Sequence, residues 1–369
     1  MFFFLMVKTI LFMNSVFIVS HSTDTDSLYV SRSIQAKQGH VAKWHTDQLS
    51  LAQTVNLKIG ANGFELSLED LATQSTLLNA DSQHSTVWLR AMQLPVLPEH
   101  THPDDRDFLN KENRVFIEYF IRSLLPDAFW VNTWAAGRSA DNKIAQLLHA
   151  AQIGLAIPET CISNDRETVL EFVSQNRPAL YKAFNFHHWK LENGGEKRAY
   201  AQLISPDKLP SAALMRANPG IFQQFIRKVA DVRTVCMGHS HFSLKLTGQG
   251  NIDWRRDSVA GQLQAEPYQL PKPIHDLCLK MMRHFGIAIA AFDFALDAEG
   301  RLVFLELNEA GQFLWMEETC ADLPILDAFS EFLLAGRNDF VYAAHTPRIH
   351  LADLKATRQQ ECAASAEPA

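Results

Sequence analysis

The sequence has few cysteines, no surplus of positive charge and no apolar run long enough to span a membrane. Its five cysteines, Cys161, Cys236, Cys278, Cys320 and Cys362, are scattered, odd in number and never spaced Cys-x-x-Cys. That excludes a disulfide framework or a thiolate zinc site and fits a reducing cytoplasm. With 34 Lys and Arg against 41 Asp and Glu, the formal charge is -7. No global basic field is available to hold nucleic acid or an anionic membrane, so an anionic ligand has to be gripped by local groups. A membrane helix needs about 20 apolar residues in a row. The apolar N-terminus, MFFFLMVKTILFMNSVFIVSH, is interrupted by Lys8 and lacks the basic start and small-x-small cleavage site of a secretory signal. Residues 15–22 therefore read as the first buried strand, and residues 1–14 as an extension, with Met13 as the natural start. There is no internal repeat.

What remains is ordinary globular composition, 47% hydrophobic and 20% charged over 369 residues, enough for two or three domains. An amphipathic helix ending at Gly39 and a strand over 41–44 open an α/β layer. Strand-like NLKIGANGFELSL and STVWLRAM, a Pro/His-rich loop and a helix over 111–125 continue it. In GRSADNKIAQLLHAAQIGLAIPET, Ile144, Leu147, Leu148 and Ala151 form one helical face that Gly154 stops. A strand, the helix NDRETVLEFVSQN and the strand PALYKAF follow. HHWKLENGGEKRAYAQLI, with its Asn-Gly-Gly turn signal, reads as a hairpin or flap. From PGIFQQFI to Asn308 the pattern is strands, broken by a helix over 275–285, and the polar tail ends in a helix followed by disorder.

Two apolar runs in AFDFALDAEGRLVFLELNEAGQF carry Asp293, Glu306 and Asn308. If Ala298 and Glu299 form the tip of a hairpin, Asp293 faces Phe304, and Glu306 and Asn308 share the parity of Phe304. The three oxygen-bearing side chains then share one face, while Phe292, Phe294, Val303, Leu305 and Leu307 face a core. Two carboxylates and an amide oxygen make a hard-oxygen site suited to Mg²⁺ with positions left for phosphate. The pair His239 and His241 shares a strand face but has no evident third zinc ligand.

That spacing, with ELN on the second strand, resembles the metal signature of ATP-grasp ligases. The resemblance implies that Lys143 and Lys182 reach nucleotide phosphates, that Gln223, Gln224, Phe225 and Ile226 hold adenine, and that Asp231 binds ribose. It implies an α/β (α+β) ATP-grasp fold: a pre-ATP-grasp domain over 15–130, a central subdomain over 131–225, a C-terminal antiparallel-sheet subdomain over 226–340 and a tail over 341–369. More narrowly, NKIAQLLHAAQIGLAIPETCISND, PGIFQQFIRKVADVR, IDWRRD and LNEAGQFLWME resemble the peptide-maturing ligases of the microviridin and marinostatin (graspetide) type, over about 15–335. One departure is Arg90-Ala91, where that family often has two adjacent arginines.

The resemblance implies that Asp or Glu side chains of a ribosomal precursor peptide, bound through a leader segment, are activated by ATP as acyl phosphates. A Ser/Thr hydroxyl or Lys amine of the same peptide then closes an ester or amide ring. ATP and Mg²⁺ are the implied cofactors, with two ions expected and Mn²⁺ a substitute, and a homodimer is compatible with the family. A carboxylate attacks an anionic phosphate poorly unless charge is neutralised along the path; Arg233 and Arg255 offer planar forks for that task. The competing expectations are a ligase adding an amino acid to a protein or small carboxylate, like the ribosomal-protein glutamate ligases, and a non-catalytic nucleotide-binding regulator.

Overall fold

In the computed structural model, which describes residues 14–184, 188–190, 196–198, 201–248, 252–259 and 261–366, the apolar runs become a parallel sheet and several antiparallel ones. The N-terminal layer contains β1 (Ser15–Ser20), α1 (Thr25–Ala36), β2 (His40–His45), β3 (Gln53–Gly60), β4 (Gly63–Asp70), β5 (Ser75–Asn79), β6 (Thr86–Leu89), α2 (Arg106–Leu124) and β7 (Phe129–Val131). Strands pair in the order β2-β1-β6-β7, all parallel, and β3, β4 and β5 form a separate antiparallel sheet. All six residues of β1 are buried, as expected of a parallel strand covered on both faces. Val16 and Ile18 face α1, while Phe17 and Val19 face Ile117, Phe120 and Ile121 of α2. The first strand stops two residues short of 22. Helix α2 starts at Arg106 rather than near 111, because Pro103 and the acids Asp104, Asp105 and Asp107 favour a helix N-terminus there.

The next elements are α3 (Trp134–Ala140), α4 (Lys143–Ile153), β8 (Thr160–Ser163), α5 (Arg166–Gln175), β9 (Ala179–Lys182), β10 (His188–Lys190), β11 (Glu196–Arg198), β12 (Gln202–Ile204) and β13 (Gly220–Gln224). The Asn142 side chain caps α4 by accepting from the N–H groups of Ile144 and Ala145, and Gly154 ends it at φ 90°. Strands β12-β9-β13-β8 form an antiparallel sheet. The arms β10 and β11 pair as a hairpin; its turn and side chains, including those of His187, His188 and Trp189, lie outside the described residues, as do residues 1–13.

The last sheet is antiparallel, in the order β16-β15-β14-β17-β18, built from β14 (Lys228–Met237), β15 (Ser240–Thr247), β16 (Gln264–Pro267), β17 (Ile289–Asp297) and β18 (Leu302–Asn308). Two helices interrupt these strands, α6 (Trp254–Val259) and α7 (Lys272–Phe285). The sequence pattern misses α6; the Asp253 carboxylate starts it, accepting from the Arg255 N–H at 3.1 Å. All nine residues of β17 are buried. Ala290, Phe292 and Phe294 enter the core under α7, and Ile289 and Ala291 enter the core shared with the N-terminal layer. The chain ends in α8 (Trp315–Thr319), α9 (Ile325–Ala335) and α10 (Leu351–Ala366). Helices α9 and α10 both pack on α1, so the C-terminal helices cover the N-terminal sheet. No helix among the described residues is long and apolar enough to cross a membrane.

Candidate active site

The expected register of the acidic hairpin is wrong in detail. Leu296 pairs with Leu302 and Phe294 with Phe304, because the loop closes over three residues, with the Asp297 N–H on the Arg301 carbonyl at 3.0 Å and Gly300 at φ 78°. Asp293 then pairs with Glu306, not Phe304, and Ala291 pairs with Asn308. A bulge between these sets makes Leu305 and Glu306 together oppose Asp293. Phe304, expected on the acidic face, therefore packs into the core with Phe292 and Phe294. Leu305, expected in the core, lines the cleft instead. Asp293, Glu306 and Asn308 still share one face, because the longer loop and the bulge together place them there.

Asp293 also pairs across β14 with Arg233, so Arg233, Asp293 and Glu306 form a row across three adjacent strands. Arg233 is 5% exposed and donates to Asp293 Oδ2 at 2.8 Å. From the other side the Arg255 guanidinium bridges Asp293 Oδ2 at 3.1 Å and Glu306 Oε1 at 3.2 Å. Burial opposes ionisation of Glu306, but Arg255, then Lys143, Lys182 and Arg233, holds its carboxyl at about 2.

These acids form one wall of a cleft of about 620 Å³. Lys143, Lys182, Gln223, Gln224, Phe225, Ile226, Asp231, Arg255, Asp293, Glu306 and Asn308 all line it. Arg233 is not a lining residue; it lies beneath Asp293, nearer a support for the carboxylate than a phosphate contact. Lys143, at the first turn of α4, sits 4.0 Å from Glu306 Oε2 and donates to the Ala183 carbonyl at 3.3 Å. Lys182 ends β9; burial lowers the pKa of its ammonium, with Glu306 pulling the other way.

The opposite end suits a nucleoside. Gln223 is 2% exposed and donates to Thr160 Oγ1 at 3.0 Å, and its Oε1 has no partner among the described residues. A buried acceptor at a cleft wall is costly unless a donor arrives, and the exocyclic amine of a purine is such a donor. The N–H groups of Gln224 and Phe225 already bond the Glu159 and Pro178 carbonyls, which leaves side chains and the remaining backbone as the groups free to meet a ligand here. Asp231 accepts both carboxylate bonds from Lys228, at 2.7 and 2.6 Å, and Lys228 also donates to the Ile252 carbonyl. Burial pushes Asp231 up to about 6 against the pull of Lys228, and the paired geometry keeps it ionised at neutral pH.

Several participants are missing from the sequence reading. Lys228 and Asp253 line the cleft, and the Lys-x-x-Asp spacing in RKVADVR was the available signal for the first. Asn132 carried no signal. Its amide donates to the carbonyls of Ile289 and Glu309 and to Glu309 Oε2, and its oxygen accepts from the N–H groups of Ala288 and Ile289. It thus ties the end of β7 to the start of β17 and the exit of β18. Arg90 is 8% exposed and works similarly, donating to Asp26 at 2.9 Å and to the Ala310 carbonyl at 3.2 Å. His241 lies against His275 with ring centres 4.2 Å apart, and no three-ligand group forms there among the described residues. The trio that does form, Asp327, Glu331 and His345, is already occupied by the Lys37 ammonium at 2.7 and 3.0 Å from the two acids.

Residues 15–138 match the MvdD pre-ATP grasp domain model. No curated protein matches in sequence. Among solved structures, the macrocyclase MdnC bound with precursor peptide MdnA from Microcystis aeruginosa MRC is similar at 27% identity and TM-score 0.77, covering 86% of this chain and 98% of that one. The macrocyclase MdnB from the same organism is similar at 25% identity and TM-score 0.71, covering 87% and 99%. A RiPP-associated ATP-grasp ligase from Chryseobacterium gregarium, in complex with ADP and a leader and core peptide, shares the fold at 23% identity and TM-score 0.80, covering 89% and 100%. The chain thus shares the fold of ATP-grasp ligases, its residues 15–138 match their MvdD pre-ATP grasp domain, and over most of its length it is similar to the peptide macrocyclases.

Proposed function

We propose that the chain is an ATP-dependent ligase that cyclises a ribosomal precursor peptide through its own side chains. A carboxylate oxygen of the peptide attacks the γ-phosphorus of ATP, the bond to the bridging oxygen breaks, and ADP leaves. A hydroxyl or amine of the same peptide then attacks the acyl carbon, loses its proton, and expels phosphate to leave an ester or amide ring. The observation that carries this reading is the convergence of Asp293 and Glu306 with Arg255 and Lys143, within 4.0 Å or less of one another in a chain of contacts. Gln223, whose buried side-chain oxygen has no partner among the described residues, lines the same cleft.

Asp293, Glu306 and Asn308 form a donor set that suits Mg²⁺, and one or two ions held there would supply charge neutralisation to the phosphates. Mn²⁺ suits the same oxygen donors. Lys143 and Lys182 orient and neutralise the phosphates, and Arg255 turns its fork to the transferred group. Asp231 accepts from the ribose hydroxyls. Relatives crystallised with a precursor peptide, and with ADP plus leader and core peptide, support this substrate class, and a more distant structure holding Mg and ADP supports the cofactors. Purified chain mixed with ATP, Mg²⁺ and an acidic, hydroxyl-rich precursor peptide is expected to release ADP and lower the peptide mass by one water per ring. A gain in mass would point instead to ligation of a free amino acid, and Glu306→Gln is expected to abolish both products.

A further inference from the structure

The chemistry above uses Arg255 and leaves two aromatic neighbours without a task. Trp254 lines the cleft and stacks on Trp315, with ring centres 5.1 Å apart and planes 29° from parallel. The Arg255 guanidinium carbon lies 4.9 Å from the Trp254 ring centre, a cation–π arrangement. Trp315 is not a lining residue of the cleft, and both indoles pack in part against the core shared with the N-terminal layer. Both tryptophans are half-buried, which leaves indole surface open beside the guanidinium that bridges Asp293 and Glu306. The second ring is held in place: Trp315 Nε1 donates to the Gln312 carbonyl at 3.1 Å, the same carbonyl that Arg233 approaches at 3.5 Å. The orientation of Trp315 is therefore tied to the segment leaving β18.

Rigid indoles cost little conformational entropy when covered and dominate many peptide-binding surfaces. A cation at the inner end of such a platform selects a carboxylate. We infer that the Trp254–Trp315 stack, with Arg255 at its inner end, is the subsite over which the acidic peptide lies as its reacting carboxylate enters the cleft. This rests on the function proposed above. The opposing account is that the stack only fastens α6 to α8 and so holds Arg255 in place. Loss of a fastener would disturb the nucleotide end and the fold along with the peptide.

The test compares the full chain with Trp315→Ala and Trp315→Phe, using ATP, Mg²⁺ and an acidic precursor peptide with its leader. The readouts are KM for peptide, KM for ATP, Tm, and peptide affinity by calorimetry. Trp315→Ala is expected to raise the peptide KM by about tenfold or more, with the ATP KM changed less than about twofold, and Trp315→Phe to recover most of the loss. An unchanged peptide KM overturns the subsite. So does a parallel rise in both KM values with a fall in Tm, which is the signature of a fastener. Wild-type chain that binds the peptide without cyclising it would overturn the function instead, and loss of that binding in Trp315→Ala would still support the subsite.

Discussion

Asp293 and Glu306 are neighbours in space with different burdens. Asp293 is 5% exposed and is the partner of the buried Arg233. Asp293→Ala leaves that guanidinium buried and unpaired, and breaking such a pair costs about 3–5 kcal/mol; chemical denaturation is expected to show a loss of that size. Glu306 has 26% of its side chain exposed and borders the open cleft, and its partners Arg255 and Lys143 are themselves partly exposed, so a neutral isostere there leaves no cation buried without water. Glu306→Gln is therefore expected to fold with near-native Tm and to lack turnover. Asp231 yields a pH test. Its carboxyl is raised from 3.8 to about 6, so between these values the folded state holds a proton that the unfolded state has released. Its contribution to stability falls as pH rises through that window and is flat above it; Asp231→Asn is expected to remove this slope from a Tm-against-pH curve. That Asp293, Glu306 and Asn308 gather at one site was legible in the sequence because acids and an amide inside apolar strands are costly without a partner. Arg233 was legible as a participant, and only its strand register showed that it braces Asp293.

The hairpin shows where sequence periodicity stops being sufficient. Alternation assigns Phe304 and Glu306 to one face, yet Phe304 joins the core and Glu306 faces the cleft. A bulge adds one residue against the partner strand without any change in composition, and here Leu305 is a residue that either face would accept. Past the hairpin, Gly311 is restricted by close approach: a Cβ there would lie 2.8 Å from Arg233 Nη2 and 3.1 Å from Ala291 Cβ. Gly311→Ala must displace Arg233 or the β18 exit, and a clear loss of turnover with a smaller loss of Tm is expected. Helix α4 was legible from its terminal Gly154, but its buried face was not: of the expected stripe only Leu147 is buried, Ile144 and Leu148 are 41% and 62% exposed, and Gln146 and Ala150 turn inward, Gln146 to bond the backbone of Leu307. Helix α6 was not legible, since six residues hold less than two turns of periodicity.

Across the whole molecule, the N-terminal layer helps to build the acidic wall of the cleft. Asn132 and Arg90, at the ends of parallel strands, hold Ile289, Glu309 and Ala310 around the last two strands of the acidic sheet. Asn132→Ala leaves the buried N–H groups of Ala288 and Ile289 without an acceptor, at about 1–3 kcal/mol each. A fall in Tm together with a higher Mg²⁺ requirement for ADP binding is expected, and a normal Mg²⁺ titration would confine Asn132 to the fold. These long-range ties join residues more than 150 positions apart, so no local pattern announces them. The whole account depends on the acidic hairpin acting as the metal-dependent centre of a peptide ligase. The most direct test is mass spectrometry of a precursor peptide incubated with ATP, Mg²⁺ and either the wild-type chain or Glu306→Gln. Loss of one water per ring with the wild type and an unchanged peptide with the variant is the expected result; dehydration that persists in Glu306→Gln would contradict it.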